Sequence, residues 1–216
     1  MATKKELTEQ ALIGKYMNYV MENEHFPSSI YKFCKEEKIK EEDFYKFFGS
    51  FDTLKKGIWK AFHTQTISLL HKNKDFENYT NKNKLLSYYF TMFEMLTLNR
   101  SYVLFVLKEH DMMLKNLEQL KGLRKHFKDF TAQLVENANE QKNLKILKQP
   151  KGVFSEAAWF QFMFLLRFWV KDDSPAFEKT DAAIEKSVNT AFDVFDNTPL
   201  ESIVDFGKFL WKEQMA

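Results

Sequence analysis

Beyond residue 84, large apolar side chains recur at helical spacing in five successive segments: Leu85 to Leu98, Tyr102 to Leu107, Leu114 to Glu140, Phe154 to Val170 and Pro175 to Phe195. In LSYYFTMFEML, YVLFVL and FSEAAWFQFMFLLRFW these residues occupy more than one helical face, so each helix must be covered on several sides. A helical bundle meets that requirement. Turn-rich β folds and glycine-rich phosphate loops are disfavoured, because the chain has 6 glycines and 4 prolines against 23 phenylalanines. Pro150, Gly152 and Pro175 punctuate the bundle, and Pro199 opens a last helix running through Lys212. The sequence predicts an all-α protein.

The first seventy residues follow a different rhythm. Leu12, Tyr16, Tyr19 and Val20, with Ile13 and Met17 beside them, predict an amphipathic helix from Lys5 to about Asn23, stopped by HFPSS. Ser28 and Ser29 are ready caps for a short second helix with Ile30, Phe33 and Cys34 on one face. Lys38 to Lys40 forms a tight connection to a third short helix, EEDFYKFF, which Gly49 and Ser50 close. A long helix then runs from near Asp52 to about Leu70, with Leu54, Ile58, Ala61 and Phe62 as its inner stripe. Residues 72–84 are polar and poorly periodic, as in a hinge. The expected organisation is a small domain over 1–50 and a helical domain over 51–216, with helix 52–70 linking them.

Several function classes lose support. Cys34 is alone and the five histidines lack ligand spacing, so neither a disulfide framework nor a metal site is expected, and a reducing cytoplasm is the expected location. MATKKELTEQ does not read as a signal or transit peptide. Phe154 to Val170 is interrupted by Glu156, Gln161 and Arg167 and falls short of the ~20 apolar residues a spanning helix needs. A net charge of +2 does not by itself argue for nucleic acid. No nucleophile elbow, His-x-x-x-His or phosphate loop is present, Ser29 to Lys32 reads as a helix start, and Glu109, His110 and Asp111 read as a charged cluster. No enzymatic activity and no cofactor are expected.

Two short helices and a tight turn, framed by a supporting first helix and a long fourth, form the arrangement that presents one helix to the major groove of DNA. The string FYKFFGSFDTL, Phe44 to Leu54, resembles the signature of the tetracycline-repressor (TetR) family: Leu-Tyr-x-His/Tyr-Phe, a two-residue turn, then Lys-x-x-Leu. Upstream, Phe33 and Cys34 stand where the family carries Ile-Ala, Ile39 where it carries the turn valine, and Leu12 and Ile13 where it carries Ile-Leu. The resemblance implies that Tyr45, Lys46 and Lys55 approach DNA, that Ser28 or Ser29 holds a phosphate at a helix start, and that Lys40 and Glu41 open the recognition helix. The sequence departs from the family at Glu24 and Lys38, where glycines are usual, and at Phe51, where a lysine is usual. Glu41, Glu42 and Asp43 place three carboxylates in the first turn of the recognition helix, which favours the helix dipole and opposes phosphate. Residues 1–60 hold eleven Lys against ten Asp or Glu.

In that family the last two large helices form a four-helix dimer interface, which implies a homodimer seam containing Phe160, Phe164, Phe168, Ser187, Phe192 and Phe195. Tyr88, Tyr89, Phe93, Phe105, Met112, Met113, Trp159 and Met163 are expected to line a pocket for an apolar small molecule or lipid, with methionine giving it adaptability. The function implied is a ligand-responsive regulator that binds an operator as a dimer. The alternative is a lipid- or isoprenoid-binding accessory protein of the same fold, similar to those of coenzyme Q biosynthesis that no longer bind DNA and carry an amphipathic C-terminal helix. Leu200, Ile203, Val204, Gly207, Leu210 and Trp211 give the last helix such a stripe, but residues 200–216 carry two Lys against three Asp or Glu. Docking on the bundle is therefore expected in preference to a membrane surface.

Overall fold

The computed structural model describes residues 6–109, 113–140 and 151–197 and is helical, with no strand among those residues. The last helix expected from Pro199, and with it the question of a membrane-facing tail, lies outside the described residues. The chain divides into two compact units, residues 1–69 with 92–126 and residues 70–91 with 127–216.

In the first unit, α1 (Glu9–Asn23) starts where the Thr8 hydroxyl accepts the Ala11 N–H at 3.1 Å and buries Leu12, Ile13, Tyr16, Tyr19 and Val20. The helix begins later than its apolar periodicity suggests because that cap fixes its start. It ends at Glu24, whose φ of 55° is the left-handed conformation usually given to glycine. Ser29 caps α2 (Ile30–Glu36) by accepting the Lys32 N–H at 3.2 Å. Lys38, at φ 54°, then turns the chain into α3 (Glu41–Tyr45). Ser50 and Thr53 cap α4 (Phe51–Leu70) reciprocally, each hydroxyl accepting the other residue's N–H.

Phe33 sits at the centre of this assembly, fully buried, with the rings of Tyr16, Tyr19, Phe44 and Phe51 at 5.5 to 6.3 Å. Phe51, which stands where the family has lysine, is therefore a packing residue. Phe48 closes against α4 at Gly57, where an added Cβ would lie 2.6 Å from the ring. The unit also contains the second part of α5 (Asn81–Leu98), α6 (Arg100–Val106), α7 (Met113–Glu118) and the start of α8 (Lys121–Glu140). α6 packs on α1. The sequence suggests one helix over 114–140, but the chain breaks after Glu118: the Gln119 side chain accepts the Trp59 indole N–H at 2.8 Å and donates to the carbonyls of Val106 and Asn116. That buried group satisfies three partners from one turn.

In the second unit, the residues expected as a hinge are partly ordered by Phe76, buried in a short 3-10 turn (Phe76–Asn78) before α5 begins at Asn81. α9 (Lys151–Lys171) packs on α10 (Glu178–Asn197). The buried Asp172 joins them, accepting the backbone N–H and hydroxyl of both Ser174 and Thr180 at 2.6 to 2.9 Å. Burial pushes its carboxyl upward, but these four donors outweigh burial and hold it well below the usual carboxylate range.

Candidate functional site

The helix-turn-helix presents α3, two of whose three carboxylates are paired with flanking lysines. Lys40 donates to Glu42 at 2.9 Å and Lys46 to Asp43 at 2.7 Å, and these hydrogen bonds raise both ammonium pKa values. The Tyr45 hydroxyl, on a half-exposed side chain, is directed loosely at Glu41 across 3.5 Å. Ser28 and Ser29 are exposed at the start of α2, with the Ser29 hydroxyl already engaged in capping. Tyr31 is 62 % exposed beside them, a candidate contact not among the expected set. Its signal in the sequence was an aromatic residue off the buried face of α2.

Lys55 stands apart from this group. It is buried, its ammonium is paired with Glu109 and lies 4.2 Å from the centre of the Phe26 ring, and that ring packs on Phe105 at 5.1 Å. Sequence spacing alone gave no reason to connect Lys55 with Glu109, fifty-four positions away. Burial pushes the Cys34 thiol up to about 11, with Glu41 adding to the effect, so it is a packing residue and not a nucleophile.

The residues expected to line a ligand pocket fall into both units. Phe93 and Phe105 belong to the first, while Tyr88, Tyr89, Trp159 and Met163 belong to the second. Met112 and the Met113 side chain lie outside the described residues. Tyr88, Tyr89 and Trp159 all pack on Phe127 at 5.1 to 6.2 Å, and Tyr89 donates to the Ala158 carbonyl at 2.8 Å. In this structure they are core. An apolar groove of about 500 Å³ lies elsewhere in the same unit, between α9, α10 and Leu85, and none of the six described residues of the expected pocket lines it. Phe154, Ala157, Phe164, Ala183, Ala191 and Phe192 form its apolar wall, with Gln161 donating to the Ser187 hydroxyl at 3.0 Å. The alanines that open the groove are legible in the sequence only as small residues on two helices.

Phe160, Phe164 and Phe168 form a stripe along α9 that is 70, 55 and 36 % exposed. Val194 on α10 is also exposed, and the Phe195 side chain lies outside the described residues. Single exposed apolar residues are ordinary, but three at successive turns beside an apolar groove make a continuous patch. Among the described residues no group of His, Cys, Asp or Glu is arranged to hold a metal, and no helix is long and apolar enough to cross a membrane.

Comparison with known proteins bears on the C-terminal part. A family profile described as tetracyclin repressor-like, C-terminal domain, matches residues 84–210, more than half of the chain. No curated protein and no solved structure gives a significant match. Matched over that length, and built of helices with no strand among its described residues, the chain belongs to the tetracycline repressor-like (TetR) family.

Proposed function

We propose that the protein is a ligand-responsive transcriptional regulator that binds DNA as a homodimer in the cytoplasm. Residues 1–50 act as its DNA-binding head, residues 51–216 as its ligand-binding and dimerisation part, and α4 links the two. The observation that carries this reading is the backbone of the helix-turn-helix. Glu24 and Lys38 hold left-handed conformations that cost a non-glycine residue roughly 1–2 kcal/mol each, so the turn geometry is kept without the residue that makes it easy. Retention of that geometry fits a surface under demand for its shape. Tyr45, Lys46, Lys40 and the serines at the start of α2 are the proposed phosphate contacts, with Glu41 nearest the bases. The stripe Phe160, Phe164 and Phe168, with Ser187 and Phe192, is the proposed seam with a second copy. The effector is an apolar small molecule or lipid.

The paired charges of α3 favour a second reading, a lipid-binding accessory protein whose helix-turn-helix serves only the fold. Lys40 and Lys46, which flank α3, are each paired with a carboxylate of that helix, and those carboxylates compete with phosphate for both ammonium groups. Titration of a generic duplex at low and rising salt separates the two. A regulator binds as wild type, and Lys46→Gln lowers the salt slope by about one counterion. Binding only by the variant Glu41→Gln, Glu42→Gln, Asp43→Asn, with none by the wild type, refutes the regulator.

A further inference from the structure

Two hollows in the second unit share a wall. Phe164 lines both the apolar groove of about 500 Å³ and a second hollow of about 360 Å³ at the C-terminal end of α9. The second hollow has Phe168 as its other aromatic wall. Its charged residues are Arg167 and Lys171 of α9, Lys179 of α10, and Asp172 and Asp173 between the two helices. On α9 the lining of the two hollows runs from Phe154 to Lys171, about 25 Å of helix. On α10, Lys186 flanks the apolar part, two turns along from Lys179. Together they form one cleft that is apolar along most of its length and cationic at one end.

The charges at that end are unequally engaged. Both oxygens of Asp172 accept from Ser174 and Thr180. Asp173 meets Lys179 only at 3.4 Å, a weak pair between two largely exposed side chains. Arg167 and Lys171, one turn apart, have no hydrogen bond or ion pair among the described residues. Lys171 suits the negative end of the α9 dipole, but that effect falls off within the last turn and does not account for Arg167, which stands between Phe164 and Phe168. Three cations against two carboxylates leave one net positive charge, which matches a carboxylate better than a doubly charged phosphate. We propose that this cleft binds a long-chain fatty carboxylate, its chain along the groove of Phe154, Ala183 and Phe192 and its head group at Arg167 and Lys171. That this ligand is the effector rests on the regulator reading; its binding does not. Phe164, Ser187 and Phe192 line the groove and also belong to the proposed seam, so ligand and second copy exclude each other, and filling the cleft converts dimer into monomer.

The test uses the full chain with palmitate and, as its uncharged counterpart, hexadecanol, each below its aggregation threshold. Equilibrium dialysis should show a single palmitate bound per chain, and bound more tightly than hexadecanol. Arg167→Gln with Lys171→Gln, both on exposed side chains, should weaken palmitate about tenfold and leave hexadecanol unchanged. Ala157→Leu with Ala183→Leu, which fill the groove from its two helices, should abolish the binding of both probes. Absence of palmitate binding overturns the proposal, as do equal losses of both probes in the charge variant or full binding by the groove variant. Sedimentation velocity then reads the exclusion: dimer should give way to monomer over the palmitate concentrations that fill the site. A dimer that persists at saturation overturns the shared surface. A chain that is monomeric without ligand, yet binds palmitate with the expected variant pattern, sustains the site and refutes the homodimer of the regulator reading instead.

Discussion

Replacing Gln119 with methionine tests whether one buried side chain breaks the helix pattern between α7 and α8. The amide is 7 % exposed and makes three hydrogen bonds: it accepts from Trp59 at 2.8 Å and donates to Val106 O at 3.1 Å and Asn116 O at 2.9 Å. Methionine fills nearly the same volume and removes all three. The Trp59 indole, itself 1 % exposed, is left with a buried N–H, which costs about 1–3 kcal/mol. Two further bonds to carbonyls contribute about 1 kcal/mol each. The expected loss is therefore about 3–5 kcal/mol, or a fall in melting temperature of roughly 6–20 °C for a chain of this size. Equilibrium urea unfolding should show a lower midpoint with an unchanged slope. In a cycle with Trp59→Phe, the double variant should recover about 1 kcal/mol or more, since the indole then no longer needs an acceptor. A loss below about 1 kcal/mol, or strict additivity, would refute the assignment of this turn to Gln119.

Three other outcomes follow from the same structure. Gly57→Ala should lower stability by about 1 kcal/mol although alanine is the better helix former, because displacing Phe48 outweighs the propensity gain; thermal unfolding checks it. Asp172→Asn should destabilise the protein at neutral pH, and the deficit should shrink as pH falls below about 4. The lowered carboxyl pKa contributes stability that is present above the unfolded value and lost as pH drops toward the folded one, so urea midpoints at pH 7 and pH 3 give the sign. Phe164→Glu, on the exposed stripe and at the groove, should convert a dimer into a monomer in sedimentation velocity at micromolar concentration, while an unchanged dimer places the seam elsewhere.

Local patterns carried much of the fold. The periodicity of Leu12, Tyr16, Tyr19 and Val20 marks α1 because a single buried face is written into consecutive turns. The serine at position 29 marks the start of α2 because capping is a short-range event. What the sequence obscured depends on distant partners. Gln119 looks like an ordinary helical residue until Trp59, sixty positions away, is placed beside it. Lys55 fits a phosphate contact by its position in the motif, yet its charge is taken by Glu109. Glu24 and Lys38 look like departures from a glycine pattern, but the backbone adopts the glycine conformation at both. Tyr88, Tyr89 and Trp159 have the bulk of pocket residues, and only the arrangement around Phe127 shows them interlocked as core. An aromatic stripe says that burial is needed; it does not say whether a neighbour, a ligand or a second chain provides it.

Whether this TetR-family protein reads DNA is tested by selection of genomic fragments with the wild-type protein at low salt, followed by sequencing. Enrichment of one sequence with two-fold symmetry is the expected result, since a homodimer presents two copies of α3 related by its own symmetry axis. No enriched sequence, together with tight duplex binding only after Glu41, Glu42 and Asp43 are all changed to their amides, would contradict it.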